Sequence, residues 1–364
     1  MPDKVLVVDD SALMRRLLRQ LLEEAGFDVD VARSGREGVE RLLSGEPDVV
    51  TLDVNMPEMD GLNALALMME SRPTPVIMVS SLTSQGAQAT LEALALGAVD
   101  YVTKPGGTIS LNIEDVAAEL VAKVKAARRA RLRSRPLVRA RRTASSPAER
   151  RPAREASRPV PARRVGHPAG VVVIGVSTGG PRTLEDILPE LPGDFPWPVL
   201  VAQHMPAQFT AAFARRMDAL CALQVIECEG PTPLQAGTVV IAQGGHDMVV
   251  NDRLGRLVAQ AVPETPSQPW HPCVDVLVDS VMRHVAPQRI AGVLLTGMGF
   301  DGAASMARLH RAGGTTVAES ADTAVVFGMP KELIDAQGAT EVLPCTRVAA
   351  WLVQHVRQHT LQEA

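Results

Sequence analysis

Twice along this chain, short runs of β-branched and aliphatic residues alternate with longer stretches whose apolar residues recur at helical spacing. In the first alternation Val5-Leu6-Val7-Val8 precedes a helical pattern from Leu13 to Leu22, and Val29-Asp30-Val31 precedes one after Ser34. Val49-Val50-Thr51-Leu52, Val76-Ile77-Met78-Val79 and Val99-Asp100-Tyr101-Val102 supply three more strands, with helices near Leu62–Glu70, Gln85–Leu96 and Ile113–Arg131. Strands that alternate with helices signal a parallel sheet covered on both faces. Ser34-Gly35-Arg36-Glu37 has the spacing of a capping box, which starts the second helix. Five strands and five helices complete a doubly wound domain over residues 1–132.

The pattern stops at residues 133–168, where Arg, Pro, Ala and Ser dominate and Glu149 and Glu155 are the acids. Such a stretch cannot bury enough apolar surface to fold alone and is expected to be a flexible linker. Gly170 opens the second alternation. Val171-Val172-Val173-Ile174, Val199-Leu200-Val201-Ala202, Val239-Val240-Ile241 and Gly292-Val293-Leu294-Leu295 are expected as buried strands. Helices are expected near Pro181–Leu191, Gln208–Ala219, Val274–Val285, Ala303–Ala312 and Val348–Gln358. Met248-Val249-Val250 and Arg256-Leu257-Val258, parted by Asn251-Asp252 and Gly255, suggest a hairpin. The second domain, residues 169–364, is thus a doubly wound, mostly parallel α/β unit with a β-hairpin.

Composition excludes several function classes. An apolar share of 46% and a charged share of 21% belong to soluble globular chains. With 3% aromatic residues the chain is poor in stacking platforms for single-stranded nucleic acid. No run of 18 apolar residues occurs, so no membrane span is expected. Met1-Pro2-Asp3-Lys4 and the short run after it lack the features of a signal peptide, and a cytoplasmic protein is expected. Cys221, Cys228, Cys273 and Cys345 show no C-x-x-C spacing and are expected to be reduced core thiols. The net charge of −4 hides the basic segment at 133–168, so charge alone gives no reason to expect specific nucleic-acid binding.

Asp9 and Asp10 follow the first strand and Asp53 ends the third. In an open parallel sheet such ends share one crevice. Three converging carboxylates repel one another unless a cation joins them, and this oxygen set suits Mg²⁺. Lys104 after the fifth strand and Ser80 at the end of the fourth reach the same crevice, a set able to hold a phosphoryl group on Asp53. These residues, with Asp53-Val54-Asn55-Met56-Pro57-Glu58-Met59-Asp60-Gly61 and Thr103-Lys104-Pro105, resemble the receiver domains of two-component response regulators. The resemblance implies a flavodoxin-like fold and phosphorylation of Asp53 by a histidine kinase. It also implies Mg²⁺ held by Asp10, Asp53 and the Asn55 carbonyl with Asp9 assisting, Ser80, Tyr101 and Lys104 as switch residues, and a cis Lys104–Pro105 bond.

In the second half, Gly175-Val176-Ser177-Thr178-Gly179-Gly180 follows a strand and precedes a helix opened by Pro181. It fits G-x-S-x-G, in which the tight turn exposes a serine and frees N–H groups for an oxyanion. A dinucleotide loop would require G-x-G-x-x-G, which is missing. His204 lies just beyond the next strand, and Asp301, in Thr296-Gly297-Met298-Gly299-Phe300-Asp301-Gly302, just beyond the strand ending at Leu295. Nucleophile, base and orienting acid therefore fall past strand ends of one sheet. Their order, Ser-His-Asp, differs from the Ser-Asp-His order of α/β-hydrolases. The segments from about Val172 to Trp351 resemble the catalytic domain of the chemotaxis protein-glutamate methylesterases, usually called CheB. The resemblance rests also on Gly244-Gly245-His246-Asp247-Met248, Pro272-Cys273-Val274-Asp275-Val276-Leu277 and Val325-Val326-Phe327-Gly328-Met329-Pro330. It implies hydrolysis of glutamate 5-methyl esters on methylated chemoreceptors, releasing methanol, with deamidation of receptor glutamines as a second activity. Thr178 and Met298 would surround the oxyanion and His246 would be a pocket residue, with no cofactor in the esterase site. Cys273 stands where that family usually has Ser.

Overall fold

The computed structural model describes residues 2–81, 83–104, 113–130 and 168–362. In the N-terminal part β1 (Lys4–Val8), α1 (Ala12–Glu24), β2 (Asp28–Ala32), α2 (Gly35–Gly45), β3 (Val49–Asp53), α3 (Gly61–Ser71), β4 (Val76–Ser80), α4 (Ser84–Leu96), β5 (Asp100–Thr103) and α5 (Ile113–Arg128) alternate as the pattern requires. The strands pair in parallel in the order β2-β1-β3-β4-β5. Every residue of β3 and β4 is buried, because helices cover both faces. Ser34 accepts from the Glu37 N–H, while the Glu37 carboxylate returns to the N–H of Arg33, one residue short of the usual capping-box target. The expected cis Lys104–Pro105 bond and, apart from Pro168, the expected linker lie outside the described residues.

The C-terminal part runs β6 (Val171–Val176), α6 (Gly180–Ile187), β7 (Val199–Gln203), α7 (Ala207–Leu220), β8 (Gln224–Cys228), β9 (Thr232–Pro233), β10 (Thr238–Ala242), β11 (Asp247–Asp252), β12 (Leu257–Val262), α8 (Val274–Met282), β13 (Ile290–Leu294), α9 (Ala303–Arg311), β14 (Thr315–Glu319), α10 (Met329–Asp335), β15 (Glu341–Leu343) and α11 (Cys345–Gln362). Seven parallel strands form one sheet in the order β15-β14-β13-β6-β7-β10-β8. The expected hairpin is present as β11–β12, but with β9 it forms a separate antiparallel sheet. The expected helix over Pro181–Leu191 is α6 followed by a 3₁₀ turn at Leu188–Glu190. Strands β8, β9, β14 and β15 and helix α10 were not expected. β8 and β15 are the edge strands of the sheet, and their partly polar sequences lack a continuous apolar run.

Strand order puts β6 between β13 and β7, so the segments after all three emerge side by side. The N-terminal domain rests against this end, with α4 packed on α6 and α7 and Asp100 of β5 hydrogen-bonded to Thr178. Tyr101 stacks on Phe209 at 4.6 Å between ring centroids, and both belong to one apolar cluster that runs through the two domains.

Candidate active site

Ser177 leaves β6 directly opposite the residue that leaves β7. The register pairs Val176 with Gln203, so Ser177 and His204 are the next pair along. The His204 N–H donates to the Val176 carbonyl at 3.1 Å, and the Gln203 side-chain amide donates to the carbonyls of both Ser177 and His204. From the other flank the Ser177 N–H donates to the Thr296 carbonyl at 3.0 Å. A Cβ placed on Gly297 would lie 2.8 Å from that of Ser177, so the turn after β13 can pass this close to the serine only as glycine.

Asp301 lies 2.8 Å from His204 through Oδ2 and Nε2, although 97 positions separate the two residues in sequence. Its carboxylate is buried at the N-terminus of α8, where it accepts from the N–H groups of Val274 (2.7 Å) and Asp275 (3.0 Å) and from the Cys273 thiol (3.3 Å). Burial alone would raise the Asp301 pKa. The imidazole and the helix N–H groups outweigh burial and hold it below the ordinary aspartate value, so the group stays an anion. With Nε2 engaged by Asp301, Nδ1 is the nitrogen left for a proton from a substrate or from Ser177. Nδ1 is buried and makes no hydrogen bond among the described residues. No hydrogen bond joins Ser177 Oγ to His204 among them either.

The N–H groups of Thr178 and Met298 donate no hydrogen bond among the described residues, while their turns are fixed by others. Thr296 Oγ1 donates to the Thr178 carbonyl at 2.9 Å, and Gly328 and Met329 both donate to the Gly297 carbonyl. His246 is not joined to this set; its Nδ1 lies 3.5 Å from the Gly244 carbonyl of its own turn. Its neighbour Asp247 has the larger structural part. Fully buried, it accepts from Thr265 N, His271 Nδ1 and Cys273 N. The sequence pattern contained Asp247 but gave no sign of this, since its partners lie 18 to 26 positions away.

The acidic crevice of the first domain is assembled too. One ligand atom each from Asp9, Asp10 and Asp53 lies within 4.8 Å of the others, and Lys104 Nζ sits 2.9 Å from Asp9 and 2.8 Å from Asp53. Three carboxylates against one ammonium leave an excess of negative charge, which fits a divalent cation bound by oxygen. Burial, assisted by Asp9, raises the Asp53 pKa against the opposing pull of Lys104. The Asn55 N–H donates to Asp53 Oδ1 at 3.3 Å. Ser80 is buried with its hydroxyl 3.3 Å from the Gly86 carbonyl, in the first turn of α4.

A family model described as CheB methylesterase matches residues 172–352, and one described as response regulator receiver domain matches residues 5–113. A curated relative from Rhodospirillum rubrum, protein-glutamate methylesterase/protein-glutamine glutaminase 3, is 53% identical over 96% of this chain and 95% of its own. The chain belongs to the CheB methylesterase family. Another relative, protein-glutamate methylesterase/protein-glutamine glutaminase 2 of Rhodopseudomonas palustris, is 48% identical over 96% of this chain and 97% of its own. The crystal structure of the Thermotoga maritima CheB methylesterase catalytic domain is 37% identical, covering 51% of this chain and 97% of that one, with a TM-score of 0.49. In this CheB-family chain, then, a receiver domain precedes the methylesterase domain. Among the described residues no helix is long and apolar enough to cross a membrane.

Proposed function

We propose that this chain is a phosphorylation-controlled serine hydrolase that converts glutamate 5-methyl esters of chemoreceptors to glutamate and methanol, and that it deamidates receptor glutamines at the same site. The observation that carries this reading is the Asp301–His204 pair, with the other imidazole nitrogen unpartnered among the described residues at the strand end beside Ser177.

In the reaction, Ser177 Oγ attacks the ester carbonyl carbon while His204 Nδ1 takes its proton. The carbonyl oxygen becomes an oxyanion facing the Thr178 and Met298 N–H groups. Asp301 stabilises the imidazolium and keeps the remaining proton on Nε2. As the C–O bond breaks, the Nδ1 proton passes to the leaving methoxy group and methanol departs. Water, deprotonated by His204, then releases the glutamate carboxylate and restores Ser177. With a glutamine side chain the leaving group is ammonia.

In the receiver, Asp53 is the phosphoacceptor and a chemotaxis histidine kinase the donor. Asp9, Asp10, Asp53 and the Asn55 carbonyl would hold Mg²⁺, which when bound neutralises charge on the transferring phosphoryl group. Lys104 pairs with the same oxygens, and Ser80 would turn from Gly86 to the phosphoryl group as Tyr101 moves. Residues 1–132, 133–168 and 169–364 act as switch, tether and enzyme in a cytoplasmic protein.

The test is methanol release from methylated receptor membranes, with Mg²⁺ and with or without a small-molecule phosphodonor. The reading requires release that rises with phosphodonor and vanishes in Ser177→Ala. Release that is absent under both conditions would overturn it.

A further inference from the structure

Among the described residues the His204 ring is held by a hydrogen bond at one edge only, since Asp301 engages Nε2 and Nδ1 has no partner there. A ring secured at a single atom can still swing about its side-chain torsions. Against its face lies Trp270, whose indole is parallel to the imidazole within 3° at 5.6 Å between centroids. That is the offset-stacked arrangement aromatic rings favour.

The indole is braced in turn. Phe300 meets it edge-on, at 4.9 Å and 78°. Gly299 passes so close that an added Cβ would lie 2.8 Å from Trp270 Cζ2, and its φ of +89° suits glycine. Asp247 ties down the segment that carries the indole, receiving the N–H of Thr265 before it and the His271 ring and Cys273 N–H after it. A fully buried carboxylate spent on both ends of one loop indicates that the loop's position matters.

We propose that Trp270 is a positioning residue for the catalytic base. Asp247 fixes the loop and the loop fixes the indole. The indole keeps the imidazole in the orientation that leaves Nε2 on Asp301 and Nδ1 free for the serine proton. Its π face also favours the imidazolium formed during attack. The inference rests on His204 being the base, and it goes further by assigning a role to an aromatic side chain outside the triad.

The test uses the full-length protein with phosphodonor and Mg²⁺, measuring methanol release across receptor concentrations for wild type, Trp270→Leu and Trp270→Phe. Trp270→Leu should lower kcat about tenfold, in line with a lost cation–π contact and a less restricted base, with KM within about twofold. Trp270→Phe, which restores a π face, should recover most of that loss. If Trp270→Leu melts early, Trp270→Met takes its place as the apolar variant without a ring. Unchanged kcat in the apolar variant, a loss confined to KM, or no recovery with phenylalanine would each overturn the proposal. His204→Ala run alongside separates this from failure of the triad: full activity there would refute the base assignment itself.

Discussion

Thr178 Oγ1 donates a 2.7 Å hydrogen bond to Asp100 Oδ2, so the receiver holds the residue that directly follows Ser177. Both residues are buried, and Lys123 lies 3.4 Å from the other Asp100 oxygen. Beside this bond Tyr101 is wedged against Phe209 with its hydroxyl buried and unpartnered among the described residues. A hydrogen bond to a charged acceptor contributes roughly 1.5–3 kcal/mol. Asp100→Ala should therefore raise the basal methanol rate severalfold without phosphodonor and shrink the stimulation that phosphodonor gives. An unchanged basal rate would show that this bond does not restrain the enzyme.

Asp53→Ala should keep the basal rate and lose phosphodonor stimulation, because it removes the proposed acceptor oxygen and one of the three clustered carboxylates. Acetyl phosphate titration with and without Mg²⁺ reads this directly. Stimulation that survives in Asp53→Ala would move the phosphoacceptor elsewhere.

Loss of Ser177 in Ser177→Ala, or of the orienting charge in Asp301→Asn, should each lower turnover by about a thousandfold or more. Asp301 also makes a pH prediction. Its folded pKa lies below the unfolded value of about 3.9, so its contribution to stability is complete above that value. The contribution is lost as pH falls through the lower, folded pKa. Melting temperature followed from pH 6 downward should therefore drop more steeply in wild type than in Asp301→Asn, and equal slopes would count against the charged, buried state.

Cys273 caps α8 and its thiol donates a hydrogen bond to Asp301, the bond a serine hydroxyl would also make. Burial, and then the Asp301 charge, push its pKa far up. Cys273→Ser should thus retain most activity, while Cys273→Ala should cost several-fold. In the native state the thiol should resist alkylation at pH 8. Rapid labelling of Cys273 in folded protein, read by mass spectrometry, would contradict this burial.

Both α/β domains were legible in the amino-acid pattern, because Val- and Ile-rich runs such as Val171–Ile174 must be covered on two faces and the helices between them supply the cover. The same pattern showed Asp9, Asp10, Asp53, Ser177 and His204 at or next to strand ends and Asp301 in the turn that follows one, since a short loop or none parts each from an apolar run. It did not reveal β14, whose Thr315, Thr316 and Glu319 look polar although Glu319 is fully buried, accepting the Thr296 N–H at 2.8 Å. Nor did it show which imidazole nitrogen meets Asp301, that Trp270 lies on that imidazole, or that Asp100 reaches Thr178 across 78 positions. Periodicity records whether a segment is buried, a local property. Which side chains meet depends on strand order, loop anchoring and domain packing, and these are decided only when distant segments compete for the same space.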